Sequence, residues 1–73
     1  MNYLKAVLTK LIGQRDIELQ DLTVYLNSPV AIGEHSNIGE EVETKISNID
    51  ALESKIETIN KILKQLEPKK TDQ

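Results

Sequence analysis

Residues 38–66 read IGEEVETKISNIDALESKIETINKILKQL, and the placing of their apolar side chains decides the fold. Ile38, Val42, Ile49, Leu52, Ile56, Ile59, Leu63 and Leu66 recur at alternating three- and four-residue steps, with Lys45 the only interruption. A seam kept over about four heptads marks a helix that buries one narrow stripe against another helix by knobs-into-holes packing. The stretch predicts an all-α fold, and the search for its partner helix moves toward the amino terminus.

Residues 3–26 supply that partner. Leu4, Leu8, Leu11, Ile12, Leu19, Leu22 and Leu26 fall on one face at 100° per residue, with Arg15 in the middle of the stripe. Asn2 is placed to act as the N-cap, and Pro29 ends the helix by disfavouring the α conformation at Ser28. The second helix is expected from Ser36 or Asn37, where Asn37 and Glu40 stand at capping-box spacing, to about Leu66. Glu40, Glu41 and Glu43 suit its positive end. Acid-before-base pairs Glu41 to Lys45 and Glu57 to Lys61 add a few tenths of a kcal/mol each. The expected architecture is one antiparallel helical hairpin over residues 1–67, with an ordered loop at 27–35 and a polar tail at 68–73. Pairing is expected to set Leu26 near Ile38, Leu19 near Lys45 and Ile46, Ile12 near Leu52, and Leu4 near Ile59 or Asn60. Leu63 and Leu66 then overhang, widened by Ile62, and the overhang calls for a partner.

Size points the same way. A chain of 73 residues with two tyrosines as its only aromatics and no cysteine must hold together on a small aliphatic core. Dimerisation into a four-helix bundle or coiled-coil-like assembly is the expected remedy. A formal charge of −3 argues against coating nucleic acid with the whole surface, while leaving room for a local basic patch. No apolar stretch approaches the roughly 20 residues of a membrane span, and Lys5 and Lys10 interrupt the run a signal peptide needs. A cytoplasmic protein with no membrane association and no cofactor is expected.

The segment between the helices, Ser28-Pro29-Val30-Ala31-Ile32-Gly33-Glu34-His35, followed by an acidic amphipathic helix, resembles one in small uncharacterised proteins of T4-like bacteriophages, including those of cyanobacteria. There it reads roughly as Asn or Thr, Pro-Val-Gly-Ile-Gly-Glu-His, then Pro-Asp. About eight residues match, with departures at Ala31, Ser36 and Asn37. The resemblance implies a two-helix phage protein acting in the host cytoplasm. It brings no activity with it.

Gly33-Glu34-His35 holds the only histidine, beside a carboxylate at a helix start. A metal or hydrolytic site needs three to four converging ligands or a nucleophile, which one histidine does not supply. With Pro29, these residues are therefore read as loop and cap: Gly33 at positive φ, Glu34 and His35 bonding free backbone groups. Arg15 and Lys45 interrupt otherwise apolar seams. They either penalise wrong registers or lay their stems along the seam while the charge reaches water.

Two further features bear on partners. Ala6, Gly13, Ile17 and Val24 line the back of the first helix, and Gly13, costing about 1 kcal/mol relative to alanine, suggests close approach of another backbone. Together with Ile59, Ile62, Leu63 and Leu66 they are the interface candidates. Charge is the other feature. Lys5, Lys10 and Arg15 share one end of the hairpin with Lys55, Lys61, Lys64, Lys69 and Lys70. Asp16, Glu18, Asp21, Glu34, Glu40, Glu41 and Glu43 gather toward the loop. The first helix thus opposes its own macrodipole. Two hairpins packed antiparallel would set each basic end beside the other's acidic end. Alternatively Lys5, Lys10, Lys61, Lys64, Lys69 and Lys70 face phosphate, in a nucleic-acid-associated protein that lacks aromatics for stacking. The expected function is non-enzymatic protein–protein association, which the resemblance places during phage infection.

Overall fold

The computed structural model describes residues 2–27 and 38–67. The expected loop site of Pro29, Gly33, Glu34 and His35, the start of the second helix at Ser36 or Asn37, and Lys69 and Lys70 of the tail lie outside the described residues. Two helices are described, α1 over Asn2–Leu26 and α2 over Ile38–Leu66, and no strand. Asn2 is the first residue of α1 rather than the residue before it. Asn27 closes α1 with its N–H donated to the carbonyls of Thr23 at 3.0 Å and Val24 at 3.2 Å. No helix among the described residues is long and apolar enough to cross a membrane.

The helices pack against each other as an antiparallel hairpin. Tyr25, near the end of α1, bonds Glu41 near the start of α2, whereas Arg15 lies beside Ile56 and Glu57 further along. On α2 the buried residues are Ile49, Ile56 and Ile59, flanked by half-buried Ile38, Val42, Lys45, Leu52 and Leu63. This is the expected seam without a slip. It ends one step early, because Leu66 is exposed while Leu63 is not. Leu63, expected in the overhang, is half-buried, so the overhang is shorter than expected.

On α1 the seam differs from the expected stripe. The half-buried residues are Leu4, Leu8, Leu11, Ile12, Arg15, Glu18, Leu22 and Tyr25. Leu19 is 40% and Leu26 60% exposed, and Glu18 and Tyr25 hold the places expected for them. The reason is periodicity. A helix matched to a strict seven-residue repeat must present one itself, and steps of four and three from Leu4 pass through Leu8, Leu11, Arg15, Glu18, Leu22 and Tyr25. Leu19 and Leu26 stand one residue, about 100°, off that line. Among the described residues no side chain is fully sealed from solvent.

Three threonines fit these long helices by turning inward on the backbone. The hydroxyls of Thr9, Thr23 and Thr58 donate to the carbonyls of Lys5, Leu19 and Ser54 at 2.9 to 3.0 Å.

Candidate interaction surface

Polar residues occupy the middle of the seam. Lys45 on α2 reaches across to α1, its Nζ donating to Asp21 Oδ2 at 3.2 Å and lying 3.4 Å from Glu18 Oε1. Its side chain is 20% exposed, so it neither lies in bulk water nor pairs with Glu41 one turn earlier, as the helix-surface spacing suggested. The carboxylates of α1 outcompete Glu41 because the seam geometry aims Lys45 at them. Glu41 instead accepts the Tyr25 hydroxyl at 3.2 Å. Of the two expected intrahelical pairs only Lys61 to Glu57 forms, at 3.9 Å and well exposed, where its value is small.

Glu18 Oε1 is buried with no hydrogen bond of its own, and its compensation is the ionic contact with Lys45. The hydrogen bond to Asp21, joined by the nearby Glu18 carboxylate, holds the Lys45 ammonium above the ordinary lysine pKa against the cost of burial. Glu41 raises the Tyr25 phenol by its charge first and by the hydrogen bond second. Arg15, also on the seam, turns back onto its neighbour Asp16, with Nε at 3.3 Å and Nη2 at 3.2 Å from Oδ1. Of these charges it is Lys45 that crosses between the helices, and a shift of one step would part it from both carboxylates, which favours a single register.

Sequence reasoning marked Arg15 and Lys45 but missed Glu18 and Tyr25. The signal was present. Continuing the four-and-three steps from Leu4 lands on both, and Lys45 on the facing seam supplies the charge that Glu18 requires.

Outside the seam the hairpin has two flanks. One carries half-buried Ile12 and exposed Leu19, Leu26 and Ile46; Leu19 and Ile46 line one shallow depression with Leu22, Ile49, Asp50 and Glu53. The other carries exposed Tyr3, Val7, Ile17 and Val24 from α1. There Ile17 shares a depression with Gln14, Asn48, Ala51, Leu52 and Lys55. Of the interface candidates, Ala6, Gly13, Ile17, Val24, Ile62 and Leu66 are exposed, whereas Leu63 is half-buried and Ile59 buried. A Cβ placed on Gly13 would meet nothing within 4 Å, so the close backbone contact suggested for it is not made within the hairpin.

Lys5, Lys10, Lys61 and Lys64 are all exposed, and the antiparallel arrangement gathers them toward one end. α1 has no acid in its first turn and no base in its last, whereas α2 has Glu40 and Glu41 at its start and Lys64 at its finish. Only α2 is charged in the sense its macrodipole favours. Among the described residues no three His, Asp or Glu side chains converge as metal ligands. No protein-family model, no curated protein and no solved structure matches the chain.

Proposed function

We propose that this chain is a small, non-enzymatic helical interaction protein that works by protein–protein association in the cytoplasm. Two copies form a four-helix bundle. The observation that carries the reading is α1: its seam is filled by α2, yet it also presents Ile17, Val24, Leu19 and Leu26 to solvent on both sides of that seam. A helix that exposes apolar side chains on both flanks of an already filled seam offers more than one side for a partner to cover. The resemblance of the Ser28 to His35 segment to proteins of T4-like phages supports placing this association in an infected host cell, as an accessory to phage development.

The test is capture of partners from infected or native cells with the tagged protein, run beside Ile17→Glu and Leu19→Glu variants. The reading expects a partner, the chain itself included, whose capture one of the two variants abolishes. Capture indifferent to both would contradict it. Salt separates the alternative, a nucleic-acid-associated protein using Lys5, Lys10, Lys61 and Lys64. Phosphate binding weakens steeply as ionic strength rises, and an apolar helix interface does not.

A further inference from the structure

We infer that the groove between α1 and α2 on the Leu19 side takes a third helix from another protein, one whose apolar stripe is flanked by lysine or arginine. The inference rests on the association reading above and names the kind of partner for one flank.

Spacing selects the groove. Beside its seam with α2, α1 carries a second row, Leu8, Ile12, Arg15, Leu19, Leu22 and Leu26, again at steps of four and three and apolar but for Arg15. α2 carries a matching row, Val42, Ile46, Ile49, Ile56 and Leu63, broken only at Glu53 and Asn60. The two rows border one groove. Leu19 and Leu22 share a depression with Ile46 and Ile49, and Arg15 shares the next with Ile56 and Asn60. Facing rows in heptad register are what a third helix tracks when it completes a bundle. Leu19 is 40%, Ile46 52% and Leu26 60% exposed, so the groove is open. On the opposite flank, Gln14, Glu18, Asn48 and Lys55 surround Ile17, and Asp21 and Lys45 lie beside Val24. That flank has no such pair of apolar rows.

Charge selects the occupant. Exposed Glu43, Asp50 and Glu57 stand one per heptad along α2's rim, with Glu53 in the groove and Asp16 on α1's rim. Arg15 is turned onto Asp16. The other cations of this flank, Lys5, Lys61 and Lys64, gather at the open end of the hairpin. Lys5 and Lys61 stand about 20 Å along their helices from Leu19 and Ile46, well beyond the Debye length of about 8 Å. Around Leu19 and Ile46 the rim is therefore acidic, and lysine or arginine beside a partner's stripe matches it. Charges in such flanking positions set partner choice in helical bundles.

A second copy does not match this groove in the register that the Tyr25–Glu41 and Asp21–Lys45 contacts set. Turned end for end so that Lys5 lies opposite Asp16 and Lys61 and Lys64 lie about Asp50, it sets Leu19 opposite Asn2 and leaves Leu26 beyond the start of its α1. Shifted to place Ile12 on Leu19, it brings Asp50 beside Glu53. With both hairpins pointing the same way, Asp16 faces Asp50 and Lys5 faces Lys61. Every pairing that covers the leucines opposes like charges. The four-helix bundle proposed above therefore leaves this groove free.

The experiment is a calorimetric titration of the full chain, at physiological salt, with a synthetic three-heptad helix bearing leucine along one stripe and lysine on both sides of it. The wild type is expected to bind this peptide, and to bind its counterpart with glutamate in place of lysine at least about tenfold more weakly. Leu19→Glu and Asp50→Lys should each lose at least about tenfold in affinity for the lysine peptide. Ile17→Glu on the opposite flank, and Glu40→Lys, which makes the same charge change off the groove, should stay within about threefold of the wild type. Circular dichroism should show helicity retained in all four variants, since every site is exposed. Equal losses from Glu40→Lys and Asp50→Lys would show attraction to net charge alone and overturn the inference, as would equal binding of the two peptides. Failure of the lysine peptide to bind would also overturn it. A wild type that nonetheless self-associates would then leave the association reading standing, and loss of that self-association in Leu19→Glu would give the groove to a second copy. A monomer that binds no peptide and captures no partner would overturn both readings.

Discussion

α1 and α2 have similar lengths, 25 and 29 residues, but their surfaces are organised differently. α2 concentrates most of its apolar residues in one seam, with Ile46 and Ile62 exposed beside it, caps its start with acids and its end with a lysine, and supplies all three residues buried among those described. α1 places apolar residues on both flanks of its seam as well as in it, interrupts that seam with Arg15 and Glu18, and has no buried residue. The difference teaches that α2 keeps its seam covered within the hairpin, whereas α1 leaves apolar side chains exposed on both sides of its seam, which is what the proposed association would cover. A two-helix hairpin satisfies the first and leaves the second incomplete.

The largest effect should come from breaking α2's seam. Ile56 is 8% exposed at its centre, and Ile56→Ala is expected to cost about 2–5 kcal/mol by leaving a cavity. Ser54→Ala, two residues away on the outer face, should cost almost nothing. Chemical denaturation of the two variants checks this, and equal losses would mean that the seam does not carry the stability.

Next in size are two substitutions on the charged layer that should act in opposite directions. Lys45→Ala removes the cation beside the buried Glu18 oxygen and should lower the melting temperature. Glu18→Leu removes that oxygen, extends α1's seam with an apolar side chain, and leaves Lys45 its bond to Asp21. It should raise the melting temperature while loosening the register, seen as broadened or doubled amide resonances. If both variants destabilise alike, the Glu18 contact is net stabilising rather than a device for register.

A smaller gain is expected at Gly13. With nothing within 4 Å of a Cβ there, Gly13→Ala should stabilise α1 by up to about 1 kcal/mol. A loss measured by thermal melting would show that something outside the hairpin approaches this position.

The smallest effect is alkaline. Lys45 and Tyr25 both have folded-state pKa values raised above their ordinary ones. The stability they contribute is therefore complete below the unfolded values, and is lost as pH rises through the folded ones. Melting temperature should hold to about pH 10 and then fall, and Tyr25→Phe should flatten part of that decline. A decline beginning near neutrality would require other groups.

The seam of α2 was legible in the sequence from Ile38 to Leu63, because a single strict repeat leaves only one face to choose. α1 was legible as a helix, with its seam misread by one residue at Leu19 and Leu26. Leucine at these positions is a stronger apolar signal than Glu18 or Tyr25, and it points to the flank rather than the seam. What decided the seam was the partner: α2's repeat imposes its period on α1, and Lys45 stabilises a glutamate where pattern alone would seat a leucine. The charge separation along the hairpin was legible too, since it needs only the antiparallel arrangement. The destinations of Lys45 and Glu41 were not, because a helix-surface pair and a cross-helix pair compete for the same ammonium and only the packing decides between them.

The central claim, that α1 is left incomplete by its own hairpin, is tested most directly by following the thermal unfolding midpoint across a hundredfold range of protein concentration. Folding coupled to association makes that midpoint rise with concentration, and this is the result predicted here. A cooperative transition at one unchanging midpoint, from a chain that sediments as a monomer throughout, would contradict it.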